Sequence, residues 1–269
     1  MDKKEISKER KNYLKKKNQK KISILLTQIF ILVIFIALWE FLANKKIIDS
    51  FITSQPSRIL NTFINLNSNN LLEHIGVTVY ETVLGFMLGT VLGIFIAIIL
   101  WWSDFLSKVS EPYLVVLNSL PKVALGPIII IWVGAGTPAI IVMAIAISLI
   151  VTILENLNGF LKTDKELIKM AQSFKASKFQ TLTKIVIPAN LSTFINSLKV
   201  NIGLSLVGVI SGEFLVSKAG LGYLIVYGGQ VFKLDLVMTS VIILGIVAGI
   251  MYTAVLLLEK FILNSKKFK

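Results

Sequence analysis

Six apolar stretches, each long enough to cross a lipid bilayer, limit what this chain of 269 residues can fold into. A transmembrane helix needs about 20 consecutive residues that are mostly apolar. The mean hydropathy of +0.78 agrees with this reading, because soluble domains are only about 45–50% apolar and this chain reaches 55%. The candidate spans cover residues 22–43, 76–101, 111–133, 138–158, 190–213 and 236–260. The sequence therefore predicts an all-α polytopic membrane protein with six transmembrane helices.

The basic residues mark the two ends of the chain and one internal loop, residues 159–190. The net charge is +13, but its clustering resembles a topology signal rather than a face for nucleic acid, so no nucleic-acid partner is expected. Because cytoplasmic segments carry the excess of Lys and Arg, both termini and the loop are predicted to be cytoplasmic. The predicted parts are a disordered basic tail (1–21), a transmembrane domain embedded in membrane lipid (22–260) and a basic C-terminal tail (261–269).

Residue types that build catalytic or metal centres are scarce. The sequence has no cysteine and a single histidine, His74, which excludes thiolate metal sites and argues against a His-dependent triad. It also has no G-x-x-x-x-G-K-[ST] phosphate loop, so the chain is not expected to bind ATP. We therefore predict no catalytic, cofactor-binding or metal-binding residue. Energy for uphill transport would come from a partner chain or an ion gradient.

The loop between the fourth and fifth spans has the pattern of two short amphipathic helices. Thr163 precedes Glu166 by three residues, and Ser177 precedes Gln180 by three, which is the spacing of a capping box at a helix start. Pro188 cannot continue a helical hydrogen-bond ladder and is predicted to end the unit. The predicted helices cover residues 164–174 and 178–187. A capped, amphipathic pair held outside the membrane is suited to docking on a partner.

The third span is interrupted near mid-membrane. Pro121 and Pro127 break the hydrogen-bond ladder there, and irregular backbone at this depth requires cover by protein or a water-filled cavity. Lys122 lies in the break and is a candidate pathway residue, with an ion pair to a neighbouring helix as the alternative. The other candidates are Asn118 and Ser119, with helix-bundle hydrogen bonds as the alternative, the break residue Pro121 itself, and Glu213, with an interfacial carboxylate as the alternative.

The loop also resembles the cytoplasmic motif of ATP-binding-cassette importer permeases, which runs E-A-A, three residues, G, nine residues, I-x-L-P. Lys169, Met170 and Ala171 stand at E-A-A, Lys175 stands at the Gly, and residues 185–188 (Ile-Val-Ile-Pro) stand at I-x-L-P. Four of these positions depart from the motif, namely Lys for Glu, Met for Ala, Lys for Gly and Ile for Leu. The resemblance implies that this segment is the ATPase-coupling loop, with Phe174, Phe179, Ile185, Pro188 and Ala171 among its contact residues.

Two further segments are similar to the nitrate, sulfonate and taurine branch of these permeases. They are residues 121–127 followed by Trp132, Val133 and Gly134, and Gly212, Glu213 and Phe214 followed by residues 220–222 (Gly-Leu-Gly). The resemblance covers roughly residues 50–258 and implies the type I importer permease fold in a bacterial cell membrane. It also implies cytoplasmic ATP-binding subunits, an extracellular solute-binding protein and a second copy of the chain. Substrates of the branch include small anions and thiamine-precursor pyrimidines.

Two other classes of protein remain as alternatives. An ion-coupled secondary transporter would need coupling-ion residues and usually carries an inverted repeat, which the sequence does not display. A membrane scaffold that transports nothing has no need of the breaks in the third span. A permease subunit of an ATP-driven importer is therefore the leading hypothesis, and the specific solute is left open.

Overall fold

The structure, a computed structural model, describes residues 8–67 and 70–266, and this part of the chain is helical with no strand. The helices are α1 (Lys8–Asn44), α2 (Ser50–Thr53), α3 (Pro56–Asn67), α4 (Leu71–Trp102), α5 (Asp104–Ser119), α6 (Gly126–Val133), α7 (Thr137–Leu161), α8 (Lys165–Ser173), α9 (Lys178–Thr181), α10 (Ile187–Ala189), α11 (Leu191–Val216), α12 (Leu221–Gln230) and α13 (Leu234–Lys266). A 3₁₀ turn, Lys122–Leu125, precedes α6, and a π-helical turn, Leu182–Val186, lies between α9 and α10.

Among the described residues, five helices are long and apolar enough to cross a membrane: α1, α4, α7, α11 and α13. α5 and residues 122–133 meet the same criterion together, as a pair bent by 88°. Five of the six predicted spans are thus confirmed as single helices, and the third is a bent pair whose break lies where the two prolines predicted it.

The expectation of a disordered N-terminal tail is wrong for the part of that tail that the structure describes. α1 already begins at Lys8, and α13 continues to Lys266. The basic segments contain Lys, Arg, Glu and Leu without Gly or Pro, and these residue types extend an adjoining helix at little cost. Residues 1–7 and 267–269 lie outside the described part.

The chain divides into two compact units at Ile64 and Asn65. In the first unit, α3 starts at Pro56, because the fixed φ of proline suits the first helical position. The Ser57 hydroxyl and backbone N–H in the first turn of α3 donate to the Glu40 carboxylate near the end of α1, over 2.9 and 3.0 Å.

The second unit is built on close packing of α4 and α11 against α7. An added Cβ at Gly85 would lie 2.5 Å from the Ala144 Cβ, and one at Gly208 would lie 2.5 Å from the Ala144 Cα. Small residues therefore let the helix axes approach closely, which is how helices associate in a bilayer without a hydrophobic driving force. The glycines spaced by four on α4 and α11, which are Gly85, Gly89, Gly93, Gly208 and Gly212, are therefore packing residues.

Candidate functional site

The two loop helices form, with one cap different from the sequence prediction. Ser177 and Gln180 make the predicted capping box, since the Gln180 N–H donates to the Ser177 hydroxyl over 3.2 Å and the Ser177 N–H donates to Gln180 Oε1 over 2.8 Å. The first helix is capped by Asp164, whose carboxylate accepts from the Glu166 N–H over 2.8 Å. The capping box predicted at Thr163 is therefore wrong. A carboxylate is preferred at this position, and it also suits the positive end of the helix dipole.

Thr163 instead closes the base of the loop. Its hydroxyl is buried and accepts from Asn190 Nδ2 over 2.7 Å, and the same amide donates to the Val186 carbonyl over 2.9 Å. An added Cβ at Gly159 would meet Asn190 Oδ1 and Thr193 Cγ2 at 2.9 Å. The two ends of the loop are thus joined by a buried hydrogen bond that sequence spacing could not reveal.

Pro188 does not end the second loop helix. The π-helical turn over Leu182–Val186 brings the Ile187 N–H to the Leu182 carbonyl, and the helix then runs through Pro188 to Ala189. A π turn shifts the hydrogen-bond ladder by one residue, so the missing N–H of a proline can be accommodated without breaking the helix. The prediction of a stop at Pro188 is corrected accordingly.

Lys175 occupies the left-handed position at the end of α8. Its φ is 55°. Its N–H donates to the Gln172 carbonyl over 2.9 Å, and the Ala176 N–H donates to the Ala171 carbonyl over 3.0 Å. These two bonds define a Schellman motif, in which glycine is favoured because it has no Cβ penalty. The turn thus keeps the conformation of the family's glycine while carrying a lysine.

Lys175→Gly is expected to stabilise the folded chain, because it removes a left-handed side chain that costs roughly 1 kcal/mol. Any activity that depends on the loop should change only a few-fold, since the backbone path is unchanged. The matched control is Lys169→Gly, which places glycine in the middle of α8 and should destabilise it by about 1 kcal/mol. Thermal unfolding of the purified variants would check whether the melting temperature rises for Lys175→Gly and falls for Lys169→Gly. A lower melting temperature for Lys175→Gly would contradict the strain.

The loop leaves large apolar side chains uncovered. Phe174 is 81% exposed and Phe179 is 63% exposed, and Met170 also lies open. Ala171, by contrast, is only 6% exposed. The expectation that Ala171 itself seats in a partner is therefore corrected: its small side chain packs α8 onto its own chain, while the two phenylalanines form the open apolar surface.

The second loop helix is fixed to the transmembrane bundle. Leu182 and Val186 belong to a buried apolar cluster with Leu114 of α5 and Phe160 of α7. Lys178 Nζ donates to the Trp102 carbonyl at the end of α4 over 2.6 Å, and lies 5.9 Å from the centre of its ring. Leu182 and Val186 thus pack against side chains of α4, α5 and α7.

The break in the third span brings several candidate pathway residues together. Lys122 Nζ donates to the Asn118 carbonyl over 3.0 Å and contacts Asn118 Oδ1 at 3.5 Å. The Ser119 hydroxyl donates to the Val115 carbonyl over 3.0 Å. Pro121, which follows the end of α5, lies exposed beside them. The Lys122 ammonium therefore lies over the open carbonyls at the end of α5, where a cation is favoured.

Glu213 lies apart from this group and is buried within the chain. It is 2% exposed. Its Oε1 accepts from the Thr78 hydroxyl over 2.6 Å, and its Oε2 accepts from the Gly222 N–H over 2.5 Å at the start of α12. The Leu221 N–H in turn donates to the Thr78 hydroxyl over 2.8 Å. Glu213 thus ties α4, α11 and the first turn of α12 together. No spacing in the sequence pairs Thr78 with Glu213, because the two residues belong to different spans.

Glycines around Glu213 make room for its carboxylate. Gly220 has a φ of 111°, and an added Cβ at this position would overlap the Glu213 carboxylate. A Cβ at Gly222 would lie 2.7 Å from Glu213 Oε2. The Gly-Leu-Gly that follows the fifth span in the sequence is therefore shaped to accept an acidic side chain.

The comparisons with known proteins agree with this architecture. The family described as "Binding-protein-dependent transport system inner membrane component" matches residues 89–266. A Haemophilus influenzae protein named as an ABC transporter permease is 27% identical over 239 residues, covering 88% of this chain and 97% of that protein. A Bacillus subtilis permease protein named for aliphatic sulfonates transport is 26% identical over 232 residues, covering 86% of this chain and 84% of its own length.

A similar fold occurs among solved structures. A chain from the crystal structure of a bacterial ABC transporter involved in the import of the acidic polysaccharide alginate aligns with a TM-score of 0.63. The alignment covers 91% of this chain and 98% of that chain at 15% identity. The likeness therefore concerns the fold.

Proposed function

Because this chain belongs to the family of inner-membrane components of binding-protein-dependent transport systems, we propose that it carries a small solute across the membrane along a pathway that includes the broken third span. The chain is a multi-pass permease subunit of an ATP-driven importer, and ATP hydrolysis belongs to separate subunits. The observation that carries the proposal is the capped loop. Its Phe174 and Phe179 are exposed, whereas its Leu182 and Val186 pack into a buried apolar cluster with the spans. An apolar, aromatic surface of this kind suits a groove on an ATP-binding subunit.

The solute is proposed to be a small organic or inorganic anion such as a sulfonate, taurine or nitrate. The Bacillus subtilis relative named for aliphatic sulfonates supports this class. Lys122 supports it as well, because its ammonium lies partly open at the break of the third span, with Asn118 beside it. A cation inside a membrane-spanning segment is costly and is retained chiefly where it faces a pathway or a partner.

A second copy of the chain is the proposed cover for this pathway. The face of α11 that bears Val200, Gly203 and Val207 is open, and nothing lies within 4 Å of a Cβ added at Gly203. On the broken span, Ile131 and Trp132 are each 80% exposed. Lipid can cover these apolar side chains, but the irregular backbone at residues 120–122 needs protein or water. Two copies facing each other through these spans would provide it.

The experiment that tests the function is solute uptake into proteoliposomes. Vesicles that contain this permease and its ATP-binding subunits should accumulate a sulfonate only with ATP on the ATPase side and a binding protein on the other. Uptake driven by an ion gradient in the permease alone would instead identify a secondary transporter.

Lys122→Gln is expected to reduce anion uptake at least about ten-fold, because a lost charged hydrogen bond costs about 1.5–3 kcal/mol. Lys122→Arg keeps the charge and should retain most uptake. ATPase activity should be measured in parallel, since a pathway residue affects solute movement more than assembly. Equal uptake by all three proteins would mean that Lys122 only caps α5.

The orientation can be tested by cysteine labelling, because the natural sequence has no cysteine. Lys218→Cys, at an exposed position beyond α11, should react with an impermeant thiol reagent in whole cells. Gln172→Cys, exposed on α8, should react only after lysis. Both positions lie on the surface without a capping role, so the substitutions leave the fold intact. Labelling of Gln172→Cys in intact cells would reverse the proposed topology, in which both termini and the loop are cytoplasmic.

A further inference from the structure

Glu81 is a buried carboxyl group to which no described group donates a hydrogen bond. It lies in α4, one helical turn after Thr78, and is 1% exposed. Among the described side chains and backbone groups, neither of its oxygens has a hydrogen-bond partner. The Thr137 hydroxyl and the Glu213 carboxylate lie beside it, but Thr137 is not in hydrogen-bonding geometry with it. An ionised carboxylate in this position would be left without any compensation, which is strongly unfavourable.

The neighbouring carboxyl group of Glu213 is also buried, but it accepts hydrogen bonds. It accepts from the Thr78 hydroxyl and from the Gly222 N–H. Thr78 has only one hydroxyl proton, and because its oxygen also accepts from the Leu221 N–H, that proton is directed to Glu213. Glu213 further lies at the N-terminus of α12, where the helix dipole favours a negative charge. All of these features select the ionised form of Glu213.

We infer that Glu81 and Glu213 form a proton-binding site, in which Glu81 holds one proton and donates it to the Glu213 carboxylate. Two ionised carboxylates side by side in a buried site repel each other, and a single shared proton removes both the repulsion and the uncompensated charge. The pair joins α4 to α11, and Glu213 joins both to α12. With the proton in place, these three helices move as one body. Without it, repulsion between the two carboxylates weakens the contact between α4 and α11.

A cavity lies beside the site, although neither carboxyl group is among the residues that line it. It has a volume of about 400 Å³ and is lined by Val77, Thr137, Val216 and Lys218, among others. Val77 adjoins Thr78, and Thr137 lies next to Glu81. The other titratable groups around the pair are few. His74 accepts from the Gly220 N–H at Nδ1 over 3.0 Å, Tyr223 stacks on the His74 ring with centres 6.0 Å apart, and Lys218 lies on the cavity wall.

The first test is infrared spectroscopy of the purified permease in lipid nanodiscs at neutral pH. A protonated carboxyl group gives a C=O stretching band that is separate from those of carboxylates and amides and shifts on transfer to D₂O. Glu81→Gln should remove this band, because the glutamine amide replaces the acid as donor to Glu213. Absence of the band in the natural protein, or its persistence in Glu81→Gln, would overturn the assignment.

The second test compares two isosteric substitutions, because their effects on stability should differ. Glu81→Gln should leave the melting temperature nearly unchanged. Glu213→Gln should lower it by about 5 °C, since its amide group would face the Thr78 hydroxyl or the Gly222 N–H, two groups that both donate. Equal effects, or the reverse order, would contradict the assigned roles. A bound cation instead of a proton would also overturn the proposal. In that case sodium chloride, but not choline chloride, would stabilise the natural protein, and neither salt would stabilise Glu81→Gln.

Discussion

Phe174→Asp should abolish ATP-coupled uptake while leaving the permease folded in the membrane. Within this chain Phe174 is 81% exposed, so its replacement removes almost no internal packing. If its ring occupies a pocket on the ATP-binding subunit, truncating such an aromatic anchor costs about 2–4 kcal/mol, which corresponds to a loss of affinity of roughly 30-fold to 1000-fold. A buried charge in that pocket would add to the loss. Co-purification of the ATPase and uptake into vesicles would measure the effect.

Gln172→Asp is the matched control for Phe174→Asp. It places the same charge two residues earlier in the loop, at an exposed position of α8 that is already polar, and it should retain most ATPase binding. Ala171→Asp is less informative, because Ala171 is buried within its own chain and a charge there disturbs the loop itself. Full uptake and normal ATPase recovery by Phe174→Asp would mean that the loop is only a solvated connector.

Gly208→Ala should destabilise the transmembrane bundle more than the same substitution at Gly203 or Gly212, the other glycines of α11. The new Cβ would lie 2.5 Å from the Ala144 Cα and 3.0 Å from the Ala144 backbone nitrogen. Backbone atoms cannot rotate away as a side chain does, so α11 and α7 would have to separate. Overpacking of this kind typically costs about 1–3 kcal/mol, and the separation also weakens the contacts between their neighbours. The expected readout is a lower melting temperature and a smaller yield of folded protein.

Gly203→Ala provides a control in the same helix. Nothing lies within 4 Å of its added Cβ, while the gain in intrinsic helix propensity is the same as at Gly208. The difference between the two variants therefore isolates the contact with α7. A melting temperature for Gly208→Ala equal to that of Gly203→Ala would show that the bundle can relax without cost.

Sequence periodicity and composition determined the membrane architecture. Long apolar runs are unfavourable in water and are therefore expected in the lipid bilayer. Because lipid offers no hydrogen-bond partners, the backbone of each run must satisfy its own N–H and C=O groups, which predicts a helix for each of the six runs. The break at Pro121 and the cap at Ser177 were equally predictable, because proline removes a donor and a serine hydroxyl supplies an acceptor whatever surrounds them. The motif at residues 169–188 also placed Lys175 at a glycine position, and the structure gives that lysine the left-handed backbone of a glycine.

Only the tertiary structure decided which residues of these elements meet. Ala171 lies in α8 and Phe174 directly follows the end of that helix, yet one is covered by its own chain and the other is open. Thr163 lies at the spacing of a helix cap, but its hydroxyl instead accepts a hydrogen bond from Asn190, at the other end of the loop. Thr78, Glu81 and Glu213 come together from two spans that are more than a hundred residues apart in the chain. Local pattern fixes the direction of a side chain along its own helix, whereas its partner depends on how separate helices pack, which no local spacing encodes.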